Sequence, residues 1–217
     1  MSVALISGAL AGLTVFAIQQ WTIQPLIEEA EGYEAKTVEP HSGDTGWQPV
    51  GSFQRNLFTV LAAILNGIGS AAILFGVAAL TRAPLSSSRG ALWGLAGLAC
   101  FVLAPSLGLP PVPPGVAVAD LRERQVWWVA TVLATATGLG LLFGQKRWPL
   151  RIGGMVFALL PHIIGAPDAI GENIVPNQLV RQFAIYAVGS QTVFWLVLGT
   201  VGGFVHSRTA RYPNQSK

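Results

Sequence analysis

The sequence predicts an all-α membrane protein with six transmembrane helices arranged as three helical hairpins, and with both termini in the cytoplasm. Of its 217 residues, 52% are hydrophobic and only 11% are charged, and the mean hydropathy is +0.54. These values are typical of a multi-pass membrane protein rather than a soluble domain. Six apolar segments, and the distribution of charged residues between the loops, predict the topology of a single membrane domain over residues 1–217.

The apolar segments set the number of crossings. A helix needs about 20 apolar residues to cross about 30 Å of hydrocarbon. The first, second, fourth and sixth segments reach this length without any Asp, Glu, Lys or Arg. The third and fifth are shorter before they meet Pro105 and Pro161, and we count both as crossings. The predicted helices cover about 2–23, 56–80, 91–109, 126–144, 148–165 and 183–205.

Charged residues separate between alternate loops. Basic residues without any acidic one occur in loops 82–89 and 145–151 and in the tail 206–217. The other three loops contain all ten acidic residues and five basic ones, and they span 24–55, 105–125 and 166–182. Because cytoplasmic loops retain Lys and Arg, we assign the basic loops to the cytoplasm. These anchoring residues also explain the pI of about 9.4, so we expect no nucleic-acid partner.

The last two hairpins share sequence features at a nearly constant offset. The pattern Phe-x-Leu-x-Pro at 101–105 recurs 56 residues later at 157–161. The pair Arg-Gln at 124–125 recurs 57 residues later at 181–182. Internal repeats are common in transporter folds. Chance similarity between apolar segments is the alternative.

Glycines four residues apart predict close contacts between helices. Small residues at this spacing let backbones approach one another in lipid. We expect these glycines to pack the bundle, with an oligomer interface as the alternative. The pairs are Gly8 with Gly12, Gly90 with Gly94, Gly140 with Gly144, and Gly199 with Gly203.

Four tryptophans lie near the ends of predicted helices, namely Trp21, Trp127, Trp128 and Trp148. Tryptophan rings favour the headgroup region of a bilayer. We therefore expect these four side chains to act as interfacial anchors.

The two prolines predict breaks in the third and fifth helices near the outer face. Irregular backbone at membrane depth persists only where protein or a water-filled cavity satisfies its polar groups. Broken helices in corresponding halves therefore indicate a transport site, and a rigid extracellular turn is the alternative. His162 follows the second proline. Its imidazole can ligate a divalent metal ion or can be a hydrogen-bonded structural group.

The first outer loop is rich in groups that bind divalent cations. Six carboxylates and one histidine lie between residues 28 and 44. Carboxylate oxygens with some imidazole suit Mn, Co, Ni or Zn, and a site without cysteine is weak and exchangeable, as transport requires. An ordinary solvated loop is the alternative. The predicted metal-gathering residues are Glu29, Glu31, Glu34 and His41, together with His162 at the helix break.

Amide side chains within the spans are predicted to line a cation path, and they are Gln19, Gln20, Asn66 and Gln191. Amides can instead bridge helices. No ionisable residue lies at mid-membrane, which argues against a proton-coupled pump. The sequence contains no phosphate loop, nucleophile elbow or zinc-peptidase helix. We therefore expect neither an enzyme nor a tightly bound cofactor.

A specific combination of motifs begins at residue 103. Residues 103–115 read LAPSLGLPPVPPG, and residues 124–128 read RQVWW. Further pieces are PHIIGAP at 161–167 and FWL at 194–196. In these motifs, and over essentially its whole length, the chain resembles the CbtA family of probable cobalt transporter subunits. The resemblance implies a multi-pass protein of the bacterial inner membrane.

The family resemblance also implies a partner. Its members are encoded beside CbtB, a small single-span protein whose histidines assist with the metal. Many relatives carry several histidines in the first outer loop, whereas this chain has only His41 there. Because this loop has fewer imidazole ligands than the loops of those relatives, the difference argues against metal capture by the loop.

Two functions follow from these observations. The leading hypothesis is a multi-pass subunit of a divalent metal cation uptake transporter, with Co²⁺ as the transported ion. Its expected partners are membrane lipid, a CbtB-like protein, and a second copy of the chain or a larger membrane complex. The alternative is a non-transporting integral scaffold or accessory subunit of a larger membrane complex, which the reduced histidine content favours.

Overall fold

The computed structural model describes residues 2–37 and 51–209. Over these two ranges the chain is helical, and its only extended pairing is an isolated antiparallel bridge between Val118 and Ile170. In chain order the helices are α1 Ser2–Thr22, α2 Gln24–Thr37, α3 Gly51–Leu80, α4 Ser87–Leu98, α5 Ala104–Gly108, α6 Leu121–Gly144, α7 Trp148–Ile164 and α8 Asn177–Thr209. A π-helical turn, Ala99–Leu103, joins α4 to α5.

Most of these helices are long enough to span a membrane. Within the described residues, five helices are long and apolar enough to cross a bilayer, and α7 is a shorter apolar helix of 17 residues. The five are Ser2–Thr22, Phe53–Leu80, Ser87–Gly108, Leu121–Gly144 and Asn177–Thr209. The prediction of an all-α, multi-pass membrane protein is thereby confirmed.

Two compact units interleave along the chain. The first is drawn from Met1–Pro25, Glu39–Leu95 and Gly189–Lys217, and the second from Leu26–Val38 and Ala96–Val188. In the first unit α1 packs along α3, and in the second α6 packs along α7. Each unit has its own buried residues, such as Ala11 and Leu198 in the first and Thr131 in the second.

Glycines bring the helices of the first unit into backbone contact. A Cβ added at Gly8 would meet the α3 backbone at Gly67 and Ile68. A Cβ added at Gly90 would meet the α8 backbone at Gly199 and Gly203. There is no room for a side chain at these points. The predicted packing role is therefore confirmed for three pairs, Gly8 with Gly12, Gly90 with Gly94, and Gly199 with Gly203.

The fourth glycine pair was predicted wrongly. Gly140 and Gly144 face open space. Helix α6 approaches α7 through Gly138 instead, which lies against the backbone of Gly154 and the side chain of Ala158. The small residues that meet α6 are therefore Gly154 and Ala158, a four-residue pair on α7.

The predicted helix breaks at the two prolines are also wrong. Pro105 and Pro161 both lie inside helices, which end three residues later at Gly108 and Ile164. Proline lacks an N–H and its ring crowds the carbonyl four residues earlier. Before Pro105, a π turn widens the helix, so that the Ala104 N–H donates to the carbonyl of Ala99, five residues back.

The loop predicted over 24–55 contains helical structure at both ends. A single residue, Ile23, separates the end of α1 from the start of α2, and α3 begins at Gly51 rather than near residue 56. The apolar residues of α2 lie at helical spacing, as shown by Leu26, Ala30 and Tyr33. Charged residues between them hide this pattern when hydropathy alone is considered.

Substitution of Gly90 tests the glycine contacts. Gly90→Ala forces α4 away from α8, and overpacking of this kind costs about 1–3 kcal/mol of unfolding free energy. Gly140→Ala is the matched control, because it faces open space and exchanges glycine for a better helix former. We expect reversible SDS unfolding in mixed micelles to show a loss of stability for Gly90→Ala and none for Gly140→Ala. Equal stability of the two variants would contradict the contact.

Candidate functional site

Within the second unit, helix α2 packs through one apolar face. Leu26 and Ala30 are buried together with Val175 and Leu179, and Ala30 has no exposed surface. The partly buried residues packed around this cluster are Tyr33, Val116, Ile174, Val180 and Phe183. Burial of this face orders a segment that would otherwise be a solvated loop. Helix α2 is therefore a fixed element that carries acidic residues.

The predicted carboxylate ligands point in different directions from α2. Glu29 and Glu31 are exposed, whereas Glu34 is half-buried and its Cγ lies 3.0 Å from the position of a Cβ added at Gly115. At about 3.6 residues per turn, Glu29 and Glu31 point roughly 160° apart. Glu31 and Glu34 lie one turn apart on neighbouring positions. His41 lies outside the described residues.

Metal-ligating side chains do not converge in the part of the chain that the structure describes. Over residues 2–37 and 51–209, no three His, Cys, Asp or Glu side chains form a group that could hold a metal ion. Glu29, Glu31 and Glu34 share one helix, and His162 lies in α7. What α2 provides is an acidic surface rather than a closed coordination site.

Two loops of the second unit pair beneath α2. The Ile170 N–H donates to the Val118 carbonyl at 3.3 Å, and the Ile174 N–H donates to the Gly115 carbonyl at 3.3 Å. The Ala117 N–H donates to Oδ1 of Asn173 at 2.9 Å. These bonds satisfy backbone groups that have no helical partner. The loop that leaves α5 and the loop that leaves α7 are thus joined, and α2 packs on both.

Glycines at equivalent positions shape the paired loops. Gly115 has φ 78° and Gly171 has φ 107°, which are conformations that favour glycine. The two glycines are 56 residues apart, the offset already seen between the proline motifs. The sequence reasoning missed this pair and the Asn173 bond, although the constant offset was a signal for them. The corresponding loop positions support true repetition of the two hairpins.

His162 is held beside an aromatic side chain at the end of α7. The Trp127 and His162 rings are edge to face, with centroids 5.8 Å apart. His162 is half-buried, and within the described residues its nitrogens have no hydrogen-bond partner. Among the described residues, no hydrogen bond of the kind weighed as the alternative to a ligand role involves this imidazole.

Trp127 is a buried structural residue, which corrects its prediction as an interfacial anchor. It is only 8% exposed, and its Nε1–H donates to the Pro161 carbonyl at 3.3 Å. A side chain at Gly108 would collide with the Trp127 ring. The ring therefore joins the ends of α5 and α7, whereas Trp21 and Trp148 are 86% and 71% exposed, as expected for anchors.

The start of α6, the helix that carries Trp127, is fixed by a side-chain cap. Oδ1 of Asp120 accepts hydrogen bonds from the Arg122 N–H at 2.8 Å and the Glu123 N–H at 3.4 Å. An aspartate cap of this kind fixes the first turn of a helix. The sequence reasoning treated Asp120 only as an outer-loop acid and missed the cap.

The amides predicted to line a path occupy different environments in the first unit. Nε2 of Gln19 donates to Oγ of Ser190 at 3.2 Å, which joins α1 to α8. Nε2 of Gln20 donates to Oδ1 of Asn56 at 3.1 Å, which joins α1 to α3. Gln191 is half-buried, but Asn66 is exposed. Two of the four amides thus bridge helices, and Asn66 faces outward from its own chain.

Removal of the Trp127 indole N–H tests the link between α6 and α7. Trp127→Phe keeps an aromatic ring but loses the bond to the Pro161 carbonyl, which is worth about 0.5–1.5 kcal/mol. Trp128→Phe removes the same atoms from a neighbouring ring that is 38% exposed. We expect SDS unfolding to show the larger loss for Trp127→Phe. An equal loss for both variants would argue against the bond.

The chain was compared with known proteins. The model of the CbtA family, described as "Probable cobalt transporter subunit (CbtA)", matches residues 1–207. No curated protein and no solved structure matches the chain. The family match covers every described transmembrane helix except the last two residues of α8. The chain therefore belongs to the CbtA family, whose description is that of a probable transporter subunit.

Proposed function

We propose that this chain is the membrane-spanning subunit of an uptake transporter that admits a divalent cation, Co²⁺, across the bacterial inner membrane. One observation carries the proposal, which is the packing of α2 on the paired loops. It sets carboxylates next to the loop that leads out of α7, the helix that carries His162. The family description supports the choice of cobalt.

Helix α2 would act first by attracting the cation. Glu29 and Glu31 are exposed on a helix that is fixed by a separate buried face. Carboxylates fixed on a surface raise the local cation concentration and the rate of encounter. Because the side chains diverge, each would hold the ion only weakly. Weak binding keeps the ion exchangeable, and His41 and Glu34 would take part at the same step.

His162 would provide a nitrogen ligand at the end of α7. Imidazole nitrogen binds Co²⁺ well, and these nitrogens have no described hydrogen-bond partner that a metal ion would have to displace. The Trp127 ring packs edge to face against the imidazole. An ion that leaves the acidic surface could therefore meet a positioned ligand before it enters the span.

The amides of the first unit would line part of a cation path. Gln19 is bonded to Ser190, and Gln191 follows Ser190 on α8. Their carbonyl oxygens can coordinate a cation without carrying charge. The sequence contains no ATP-binding motif, so the membrane potential or a partner would drive uptake. That potential contributes about 2.3 kcal/mol per charge per 100 mV, and a divalent ion carries two charges.

The chain would cross the membrane six times, with both termini in the cytoplasm. Helix α7, with 17 residues, is about 26 Å long at 1.5 Å per residue. It contacts α6 at Trp127 through Pro161 and at Gly138 through Gly154. These contacts favour an antiparallel course of α7 beside the long helix α6, and hence a sixth crossing.

Uptake by reconstituted vesicles tests the transport function. The chain is purified in mild detergent with any subunit that accompanies it, and Co²⁺ influx is followed with an inside-negative potential. We expect influx well above that of empty vesicles, and a loss of about tenfold or more for His162→Ala, because even outer-shell partners of metal ligands are worth about 10- to 100-fold. His206→Ala is the control, because His206 lies in the last turn of α8 and is not one of the proposed ligands.

The outcomes separate the two functions. Influx no faster than in empty vesicles would reject transport, and purification within a larger assembly would then favour the scaffold alternative. Normal influx by His162→Ala would leave transport standing and reject the ligand role of His162.

Thiol labelling tests the six crossings. In a Cys100→Ala background, single cysteines are placed by Gln145→Cys and Asp168→Cys, on either side of α7. We expect a membrane-impermeant maleimide to label Asp168→Cys in cells whose inner membrane is intact, and Gln145→Cys only after that membrane is permeabilised. Labelling of both positions from the same side would mean that α7 does not cross.

A further inference from the structure

Asn66 is a polar side chain in the middle of a membrane span, and the described part of the chain offers it no partner. It lies near the centre of the span Phe53–Leu80 and is exposed on its own chain. Among the described residues, its amide makes no hydrogen bond. An asparagine amide has two donor hydrogens and an acceptor oxygen, and hydrocarbon satisfies none of them. The amide therefore requires a polar partner from outside the chain at this depth.

The residues around Asn66 form a continuous stripe along α3, which we call the α3 seam. Its members alternate by four and three residues, the spacing at which a helix contacts a parallel partner. All of them are exposed, and they are Ala62, Asn66, Gly69, Ile73, Gly76 and Leu80. The buried face that packs on α1, at Gly67, lies on the opposite side of α3. The seam thus lies away from the face of α3 that packs on α1.

Space along the seam allows another helix to approach closely. A Cβ added at Gly69 or Gly76 would meet no atom within 4 Å. Gly67 on the other face shows the contrast, because a Cβ there would meet the backbone of α1. Ala62, Gly69 and Gly76 recur every seven residues, so every second member of the seam is a small residue. The Asn66 amide can then reach a partner backbone or side chain without obstruction.

We propose that the α3 seam binds the α3 seam of a second copy of this chain. Copies of one membrane protein insert in the same orientation, so two α3 helices related by a two-fold axis along the membrane normal run parallel. In such a pair each residue faces its own copy. Small residues then meet small residues, and Asn66 meets Asn66.

Self-pairing suits the chemistry of an amide. The N–H of one Asn66 can donate to the Oδ1 of the other, so each side chain supplies what its copy needs. A single central asparagine also fixes the register of two helices, because any shift separates the two amides. A different partner helix would have to present a polar group at this same depth. The second copy does so by symmetry.

Disulfide cross-linking in native membranes tests the proposal. The background is Cys100→Ala, which removes the single native cysteine. Ile73→Cys places a thiol on the seam, and Ala72→Cys places one on the next residue, which is also exposed but points roughly 100° away. We expect oxidation to give a covalent dimer with Ile73→Cys and little with Ala72→Cys. Equal cross-linking of the two variants would overturn the seam as the interface.

Dissociation of the dimer tests the role of the amide. Single-molecule photobleaching in liposomes diluted with lipid measures the dimer dissociation constant. We expect Asn66→Leu to weaken the dimer by about 3- to 20-fold, as for an interhelical hydrogen bond in a membrane, and Asn66→Gln to lose less. Leu61→Ala is the control, because Leu61 is 46% exposed and its side chain points roughly 140° away from Asn66.

Two outcomes would overturn the proposal. One is a monomer at every protein density in lipid, and the other is cross-linking of Ile73→Cys to a different protein instead of to a second copy. Both readouts are independent of cation transport, so their failure leaves the proposed function untouched.

Discussion

Backbone contact between helices without intervening side chains is the constraint on which the structure depends. Lipid tails are as apolar as leucine, so helices in a bilayer gain little from hiding apolar side chains. They gain from close packing, and Gly8, Gly90 and Gly138 each lie directly on the backbone of a neighbouring helix. Dispersion contacts summed along such lines hold the helices. Large apolar side chains such as Leu65 and Ile163 can therefore face lipid.

Polar groups that this packing leaves unpaired are satisfied by specific partners. The Pro161 carbonyl accepts a hydrogen bond from Nε1–H of Trp127, and Nε2 of Gln19 donates one to Oγ of Ser190. In the second unit, the paired loops and the apolar face of α2 build a layer that carries carboxylates. The packing that stabilises the second unit thus also holds the carboxylates of the proposed cation site in place. Asn66 is the exception, because its amide has no described partner within the chain.

Much of this fold was predictable from the sequence because membrane spans obey simple rules of length and charge. The apolar segments and three glycine pairs were found in this way. Helix α2 was missed because its apolar face is only three residues long within a charged segment. The prolines misled because a proline removes a backbone donor without always ending the helix, and here both helices continue for three residues beyond it.

The candidate site was less predictable than the fold. The composition of the first loop indicated cation binding, and Glu29 and Glu31 do lie on the surface. Their divergence could not be foreseen without knowing that the segment is helical. Trp127 was misjudged because position near a helix end suggests an anchor, while its burial depends on Gly108 and Pro161, which are distant in sequence.

The π turn before Pro105 changes how the hairpins that contain Pro105 and Pro161 should be aligned. A π turn holds one residue more than an α turn, so α4 gains a residue that α7 lacks. Counting back from the prolines, Gly97 then corresponds to Gly154 rather than to its neighbour Gly153, and both Gly97 and Gly154 are buried. If the hairpins descend from one ancestral unit, the turn is the trace of a single inserted codon, absorbed by the helix without moving the proline or the loop beyond it.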